Sequence, residues 1–315
     1  MTPASILPTP AEVREAASRI AGSVLRTPLL RSEPLSASLN GDVYLKLECL
    51  QHGGSFKLRG ALSALLALAP DARARGIVAA SAGNHGIGVA MAAAQLGVQA
   101  TIFVPVSSPA SKRDEIIARG ARIDATQPNY DAAERAARRF AEANGATFVS
   151  PCTGRALLAG AGTVALEILE DLPTVATLVV PVGGGGLVGG IGGFIRGTAN
   201  GVRILGAQSV NTNAMTLALA SGRPTDIPDL PTLADGLAGL VDLEMLAQGK
   251  AALDGIATVG EDAIAEAMEW LRTTHQLTVE GSGAVGVAAL RAGAIKPQAF
   301  PVAIVVSGAN RRDAN

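Results

Sequence analysis

Gly54-Ser55-Phe56-Lys57-Leu58-Arg59-Gly60-Ala61-Leu62-Ser63 follows an alternating apolar run, Val43-Tyr44-Leu45-Lys46-Leu47-Glu48. The run reads as a strand over 43–47, and the spacing from Lys57 onward reads as a helix over 57–68. Lys57 therefore stands just after a strand and just before a helix, between small residues. A lysine so placed is held rigidly, close to helix-start N–H groups that can receive an anion. That suits an amine forming a Schiff base with a phosphorylated aldehyde cofactor. For a lone lysine, a solvated turn position is the ordinary outcome. Other patches of the chain decide between the two.

Outward from Lys57 the pattern alternates. Apolar runs at 77–80, 100–104, 146–149, 177–182, 203–207 and 301–306 read as strands. Helical spacing lies at 11–22, 84–96, 110–119, 130–143, 156–170 and 261–273. Strands alternating with helices, with few hairpin signals, mean βαβ units and parallel sheets. Leu178-Val179-Val180 and Val302-Ala303-Ile304-Val305-Val306 are continuously apolar, as strands covered on both faces must be. Residues 221–232, with Pro224, Pro228 and Pro231, read as an irregular surface connection. The chain stops nine residues after Val306, and no appended regulatory domain is expected.

Composition narrows the partner. With 315 residues, about two domains are expected. The chain is 48% hydrophobic with 37 glycines, which suits helices packed closely on a sheet. A net charge of −1 leaves no basic footprint for nucleic acid or an acidic membrane, so a small molecule is the expected partner. Cys49 and Cys152 carry no metal-ligand spacing, and only His52, His85 and His275 are present, so no metal centre is expected. Met1-Thr2-Pro3-Ala4-Ser5 lacks the basic start of a signal peptide, and a cytoplasmic protein is expected. Residues 178–195 have the length of a membrane span, but eight glycines and a proline make a strand, a loop and a helix start the better reading.

Three loops carry the chemistry. Ser81-Ala82-Gly83-Asn84-His85-Gly86 follows the strand at 77–80 and opens a helix; its N–H groups suit a carboxylate, although Ser81 or Asn84 could equally be a plain helix cap. Gly183-Gly184-Gly185-Gly186 lies between a buried strand and a helix. Four unshielded N–H groups there can wrap a phosphate, a better reason for such a run than a flexible turn. Ser307-Gly308-Ala309-Asn310 ends the last strand, where ligands bind in parallel sheets. Gly184-x-Gly186-x-x-Gly189 and Gly281-x-Gly283-x-x-Gly286 also fit a dinucleotide pattern, but neither has the acidic ribose ligand about twenty residues on.

Taken together, in this order and spacing, the four motifs resemble the serine/threonine dehydratases and serine racemases, fold type II (tryptophan-synthase-β-like) pyridoxal-phosphate enzymes. The resemblance spans nearly the whole chain, with Arg26-Thr27-Pro28-Leu29, Leu233-Ala234-Asp235-Gly236 and Val279-Glu280-Gly281-Ser282-Gly283 as support. It implies an α/β protein of two open parallel-sheet domains. A large cofactor-binding domain would comprise 1–49 and 149–315, and a small mobile domain 50–148. Lys57 would carry pyridoxal 5'-phosphate, with Phe56 beside the ring and Asn84 on its 3-oxygen. Gly183, Gly184, Gly185 and Gly186 would hold the phosphate, Gly236 and Glu280 would lie near the ring, and Ser307 would face the pyridine nitrogen. Ser81, Gly83 and His85 would receive the substrate carboxylate. A homodimer is implied by the same resemblance.

Reaction type follows from Ser307. A neutral hydroxyl stabilises a pyridinium less than a carboxylate does, so the cofactor is a shallower electron sink and elimination fits better than transamination. The expected reaction is dehydration of a 3-hydroxy amino acid to a 2-oxo acid and ammonia, with serine and threonine as default substrates. Departures from the family refine this. Ala82 replaces the second acid/base serine of the racemases, so racemisation should be weak. Gln208 and Ala214 stand where those racemases have acidic metal ligands, so no divalent ion is expected there. His52-Gly53-Gly54 and Ser150-Pro151-Cys152 depart from the usual neighbours, which either widens the pocket for a bulkier substrate such as a phenylserine or reflects neutral drift. The alternatives are a racemase or β-replacement enzyme of the same fold, a nicotinamide-dependent oxidoreductase, and a non-catalytic amino-acid sensor. The oxidoreductase leaves Lys57 unexplained.

Overall fold

The structure is a computed structural model that describes residues 6–198 and 201–309. The first five residues and Asn310, which enter the sequence reading, lie outside the described residues. In chain order the elements are α1 (Pro10–Ile20), β1 (Leu29–Arg31), α2 (Glu33–Leu39), β2 (Val43–Lys46), α3 (Lys57–Ala67), α4 (Pro70–Ala74) and β3 (Ile77–Ala80). There follow α5 (Asn84–Gln95), β4 (Ala100–Pro105), α6 (Ala110–Ala118), β5 (Arg122–Gln127), α7 (Tyr130–Asn144), β6 (Thr147–Phe148) and α8 (Arg155–Asp171). The rest comprises β7 (Thr177–Pro181), α9 (Gly186–Thr198), β8 (Arg203–Ser209), α10 (Ala214–Ser221), α11 (Leu243–Ala252), β9 (Gly255–Val259), α12 (Glu261–His275), α13 (Gly281–Arg291) and β10 (Val302–Val305).

Local chemistry starts these elements cleanly. The Thr9 side chain accepts the Glu12 N–H while the Glu12 carboxylate accepts the Thr9 N–H, a reciprocal cap that begins α1. Helix α1 then buries Val13, Ala16 and Ile20 at helical spacing. In β7 and β10 successive side chains enter opposite cores. Leu178, Val180, Ala303 and Val305 pack under α8 and α9, and Val179, Val302 and Ile304 pack under α12 and α13. Burial on both faces explains the unbroken apolar runs, each large side chain contributing about 1.5–3 kcal/mol on removal from water.

Two sheets form. One has six strands in the order β1-β2-β10-β7-β8-β9, parallel except for the β1–β2 pair; the other has four parallel strands in the order β5-β4-β3-β6. In the first, the chain winds outward from β7 through β8 to β9 and returns on the other side as β10. In the second it winds outward from β3 through β4 to β5 and returns as β6. Each reversal opens a crevice at the carboxyl ends of the two diverging strands. Residues 183–186 and Ser307 sit at the first crevice, and residues 81–85 and 149–152 at the second.

Two readings need correction. Strands β1, β5 and β9 are absent from the sequence expectation. All three are edge strands, half-covered, so their apolar patterns are weak. Nor does Lys57 follow directly on a strand: β2 ends at Lys46, and two 3-10 turns (Glu48–Leu50 and His52–Gly54) intervene. The rigidity has another source. Ser55 forms an antiparallel bridge with Gly308, the Phe56 N–H donates to the Ser307 carbonyl at 3.2 Å, and the Ala309 N–H donates to the Gly54 carbonyl at 2.8 Å.

Candidate active site

A cleft of about 870 Å³ lies between the two crevices, lined by residues from both sheets. Lys57 is the first residue of α3, and its Nζ donates to the Pro151 carbonyl at 3.0 Å and lies 5.1 Å from the centroid of the Phe56 ring. Helix α5 packs against this turn at a glycine: a Cβ built on Gly88 would lie 3.1 Å from the carbonyl carbon of Lys57.

Residues 81–85 begin α5. The helix has Gly83 at its cap position with no side-chain cap; the Ser81 Oγ accepts the Gly83 N–H at 3.1 Å, which leaves the first-turn N–H groups facing the cleft without a side-chain acceptor. The loop is thus not an ordinary side-chain cap. Asn84 donates through Nδ2 to Glu280 Oε1 at 2.7 Å, and its Oδ1 is buried with no partner among the described residues. The His85 ring is buried, with Nε2 3.0 Å from the Val149 carbonyl and Nδ1 unpartnered among the described residues. Burial, and then the Lys57 charge, hold its pKa down to about 3. Such a ring is neutral and donates Nε2–H to the carbonyl, so Nδ1 is an acceptor. His85 can therefore offer a carboxylate its backbone N–H but not its imidazole, which narrows the role inferred from sequence.

Glycines 183–186 leave β7 and enter α9, with Gly185 at a φ of +93°, a conformation that favours glycine. Their backs are closely packed. A Cβ on Gly184 would lie 2.5 Å from Cys152 Sγ, and one on Gly186 3.0 Å from Cys152 Cα. The open side of the turn faces the cleft. Gly236 donates its N–H to Ser282 Oγ at 2.9 Å, Glu280 occupies the residue before α13 without a side-chain cap bond, and the Ser307 Oγ donates to the Ser282 carbonyl at 3.3 Å. All of the residues expected at the site from sequence line this one cleft.

Other expectations find their structural setting here too. The pattern at 281–286 lies within α13 after a cap residue, not in a strand-to-helix turn. The Gln208 amide is fully buried; it donates to the carbonyls of Val182 and Thr212 and accepts from the N–H and Oγ1 of Thr216. Among the described residues no three His, Cys, Asp or Glu side chains group as a metal site, and no helix is long and apolar enough to cross a membrane.

Sequence reasoning missed four partnerships: Pro151 with Lys57, Glu280 with Asn84, Lys112 with Asp235 at 2.8 Å across the cleft, and the buried charges around Arg59. Only the last left a trace in the sequence, charged residues inside otherwise apolar segments at Lys46, Glu48 and Arg59.

The arrangement fits a phosphorylated aldehyde: an amine, a backbone cradle packed from behind, an uncapped helix start and orphaned polar atoms converge on one cavity. The family model described as "Pyridoxal-phosphate dependent enzyme" matches residues 20–308. The chain belongs to the pyridoxal-phosphate-dependent enzymes. Its cofactor is pyridoxal 5'-phosphate. L-threonine ammonia-lyase of Thermotoga maritima is 41% identical over 95% of this chain and 75% of its own length. Serine racemase of Oryza sativa is 34% identical over 95% of this chain and 89% of its own length. Among solved structures, maize serine racemase superposes with a TM-score of 0.93 at 32% identity, covering 98% of this chain and 95% of the other. The T.th. threonine deaminase gives 0.90 at 34% identity, covering 98% and 100%. These pyridoxal-phosphate enzymes share the two-sheet, fold type II architecture seen here.

Proposed function

We propose that this enzyme is an ammonia-lyase that dehydrates a 3-hydroxy amino acid, serine or threonine by default, to a 2-oxo acid and ammonia. The observation that carries the reading is the convergence of Lys57, the glycines at 183–186 and Ser307 on one cleft at the sheet reversals. Similarity to the Thermotoga maritima L-threonine ammonia-lyase supports it.

In this reading Lys57 holds the cofactor, the N–H groups of residues 183–186 bind its phosphate, and Phe56, Asn84, Gly236, Glu280 and Ser307 surround the ring. When bound, pyridoxal phosphate supplies an electron-withdrawing ring that acidifies the substrate's Cα–H. Ser81, Gly83 and the first N–H groups of α5 hold the substrate carboxylate. The Lys57 amine, kept in the cleft by the Pro151 carbonyl, removes the Cα proton. Ser307, whose hydroxyl donates a hydrogen bond to the Ser282 carbonyl, brings no formal charge to the ring nitrogen, which favours prompt loss of the β-hydroxyl over transamination. The unit at 50–148 closes on the remainder and excludes water during turnover. Assembly into a homodimer belongs to the same proposal, and light scattering tests it.

Racemisation is the second reading, favoured by the similarity to maize serine racemase. Against it, Ala82 lines the cleft with no group able to move a proton. The deciding experiment incubates the yellow protein with serine, threonine and a phenylserine, measuring ammonia release and Cα–H exchange into deuterated water. Ammonia from one of them carries the proposal; exchange without ammonia moves the assignment to racemisation.

A further inference from the structure

Arg59 lies two residues after Lys57 and is fully buried, and all five of its N–H groups find acceptors. Nε and Nη2 form a fork on the Glu48 carboxylate at 2.8 and 2.9 Å. Nη1 and Nη2 reach the two oxygens of Glu167 in α8 at 2.6 and 2.9 Å, Nη1 reaches Thr163 Oγ1 at 3.1 Å, and Nη2 reaches the Leu25 carbonyl at 3.0 Å. The remaining positive charge is Lys46, whose Nζ donates to Glu167 at 2.5 Å and to the Thr27 carbonyl at 2.7 Å. Two cations and two carboxylates thus balance in the interior.

Such a cluster is a weak source of stability, since desolvation cancels much of the attraction and apolar replacements often do as well. What it provides is direction. Helix α3 has Phe56 at its cap position with no side-chain cap; the bonds of Ser55 and Phe56 to the end of β10 hold the chain just before Lys57 and leave the first helical turn to be fixed from elsewhere. Arg59 fixes it from inside: its acceptors come from β2's exit, α8 and the segment before β1, all parts of the six-stranded-sheet unit. The apolar residues of α3, Leu58 and Leu62, pack instead with the core of the four-stranded sheet.

Building on the proposed role of Lys57, we infer that Arg59 is a positioning residue that locks the Lys57 amine into the frame of the six-stranded sheet. Although Lys57 and Arg59 fall within residues 50–148, the amine then keeps its place beside the glycines at 183–186 and Ser307 when the four-stranded sheet moves. Arginine is required because a planar fork can hold two carboxylates in fixed directions, whereas a lysine has the charge without the geometry.

Arg59→Lys tests this by keeping the charge balance and removing the fork. Misplacement of a reacting group by about 1 Å costs up to about a hundredfold in rate, so kcat should fall tenfold or more while KM stays within about twofold. The visible absorbance of the bound cofactor should titrate with pH differently from the wild type. In cofactor-free protein, amide hydrogen exchange over residues 57–61 should quicken at least tenfold while that over 186–190 is unchanged. An unchanged kcat with unchanged exchange at 57–61 overturns the inference. Should Arg59→Lys fail to fold, Thr163→Val removes a single acceptor and decides in its place: two- to fivefold loss of kcat with faster exchange at 57–61 supports the inference, and wild-type values overturn it. A wild-type protein that never develops the visible band would instead remove the proposed function, so the two failures are told apart.

Discussion

Phe56 gives its backbone N–H to the carbonyl of Ser307, 251 positions away in the chain, at 3.2 Å. That bond joins the loop carrying Lys57 to the end of β10, and both Lys57 and Ser307 line the cleft. If Lys57 is the cofactor-bearing amine, Lys57→Ala should reduce turnover by at least a thousandfold, on the order of the loss seen when a covalent catalyst is removed. Borohydride reduction followed by peptide mapping should place a pyridoxyl adduct on Lys57 in the wild type. An adduct elsewhere would sink the assignment.

The glycine turn makes a graded prediction. A methyl on Gly184 meets the Cys152 thiol, whereas a methyl on Gly186 meets the Cys152 Cα and the Pro151 carbonyl, which are backbone. Gly184→Ala and Gly186→Ala should each retain cofactor at least about tenfold less tightly, roughly the cost of a 1–3 kcal/mol overpacking strain. Adding Cys152→Ala should restore most of the loss in Gly184→Ala and little in Gly186→Ala. Equilibrium dialysis measures both, and equal rescue would contradict the packing described.

Lys112 of α6 and Asp235 face each other across the mouth of the cleft at 2.8 Å, both partly solvated. The stability contribution of such a pair is small, about 0–1 kcal/mol. Its effect should appear in binding: Lys112→Ala should raise KM two- to fivefold with kcat little changed, and added salt should narrow the difference from wild type. A fall in kcat alone would speak against a role at the entrance.

His85 sets a pH limit on folding. Its folded pKa is depressed to about 3, by burial first and the Lys57 charge second, against an ordinary value of 6.5. The unfolded chain therefore binds this proton first as pH falls, and the folded state loses stability from pH 6.5 down to about 3, with none of that loss above 6.5. Glu12, held down to about 2 chiefly by its hydrogen bond to Arg155, adds a loss only below about 4.5. Urea midpoints between pH 7 and 5 should fall for the wild type and stay flatter for His85→Gln. Parallel slopes would show that the ring is not buried neutral.

Much of the candidate site was legible in the sequence, in that the residues singled out there line one cleft, because its signals are local. Lys57 beside small residues, the four glycines after an apolar run, and Ser81-Ala82-Gly83-Asn84-His85 before a helix each state a backbone requirement within a few residues. The Asn84–Glu280 and Lys57–Pro151 contacts were not legible, since each joins segments about a hundred or more positions apart and neither partner has a composition that marks it. Edge strands β1, β5 and β9 were hidden for a different reason. With one side unpaired and faces half-covered, they need no continuous apolar run.

From its sequence alone this chain was bound to form parallel sheets under helices and to present glycine-rich turns between them, because strand periodicity and glycine's missing Cβ act residue by residue. Only the tertiary fold decided that two sheet reversals would face each other across one cleft, and that Arg59 would find Glu48 and Glu167 in the interior. Strand order and buried charge pairing depend on which distant segments exclude water together, and no local pattern encodes that.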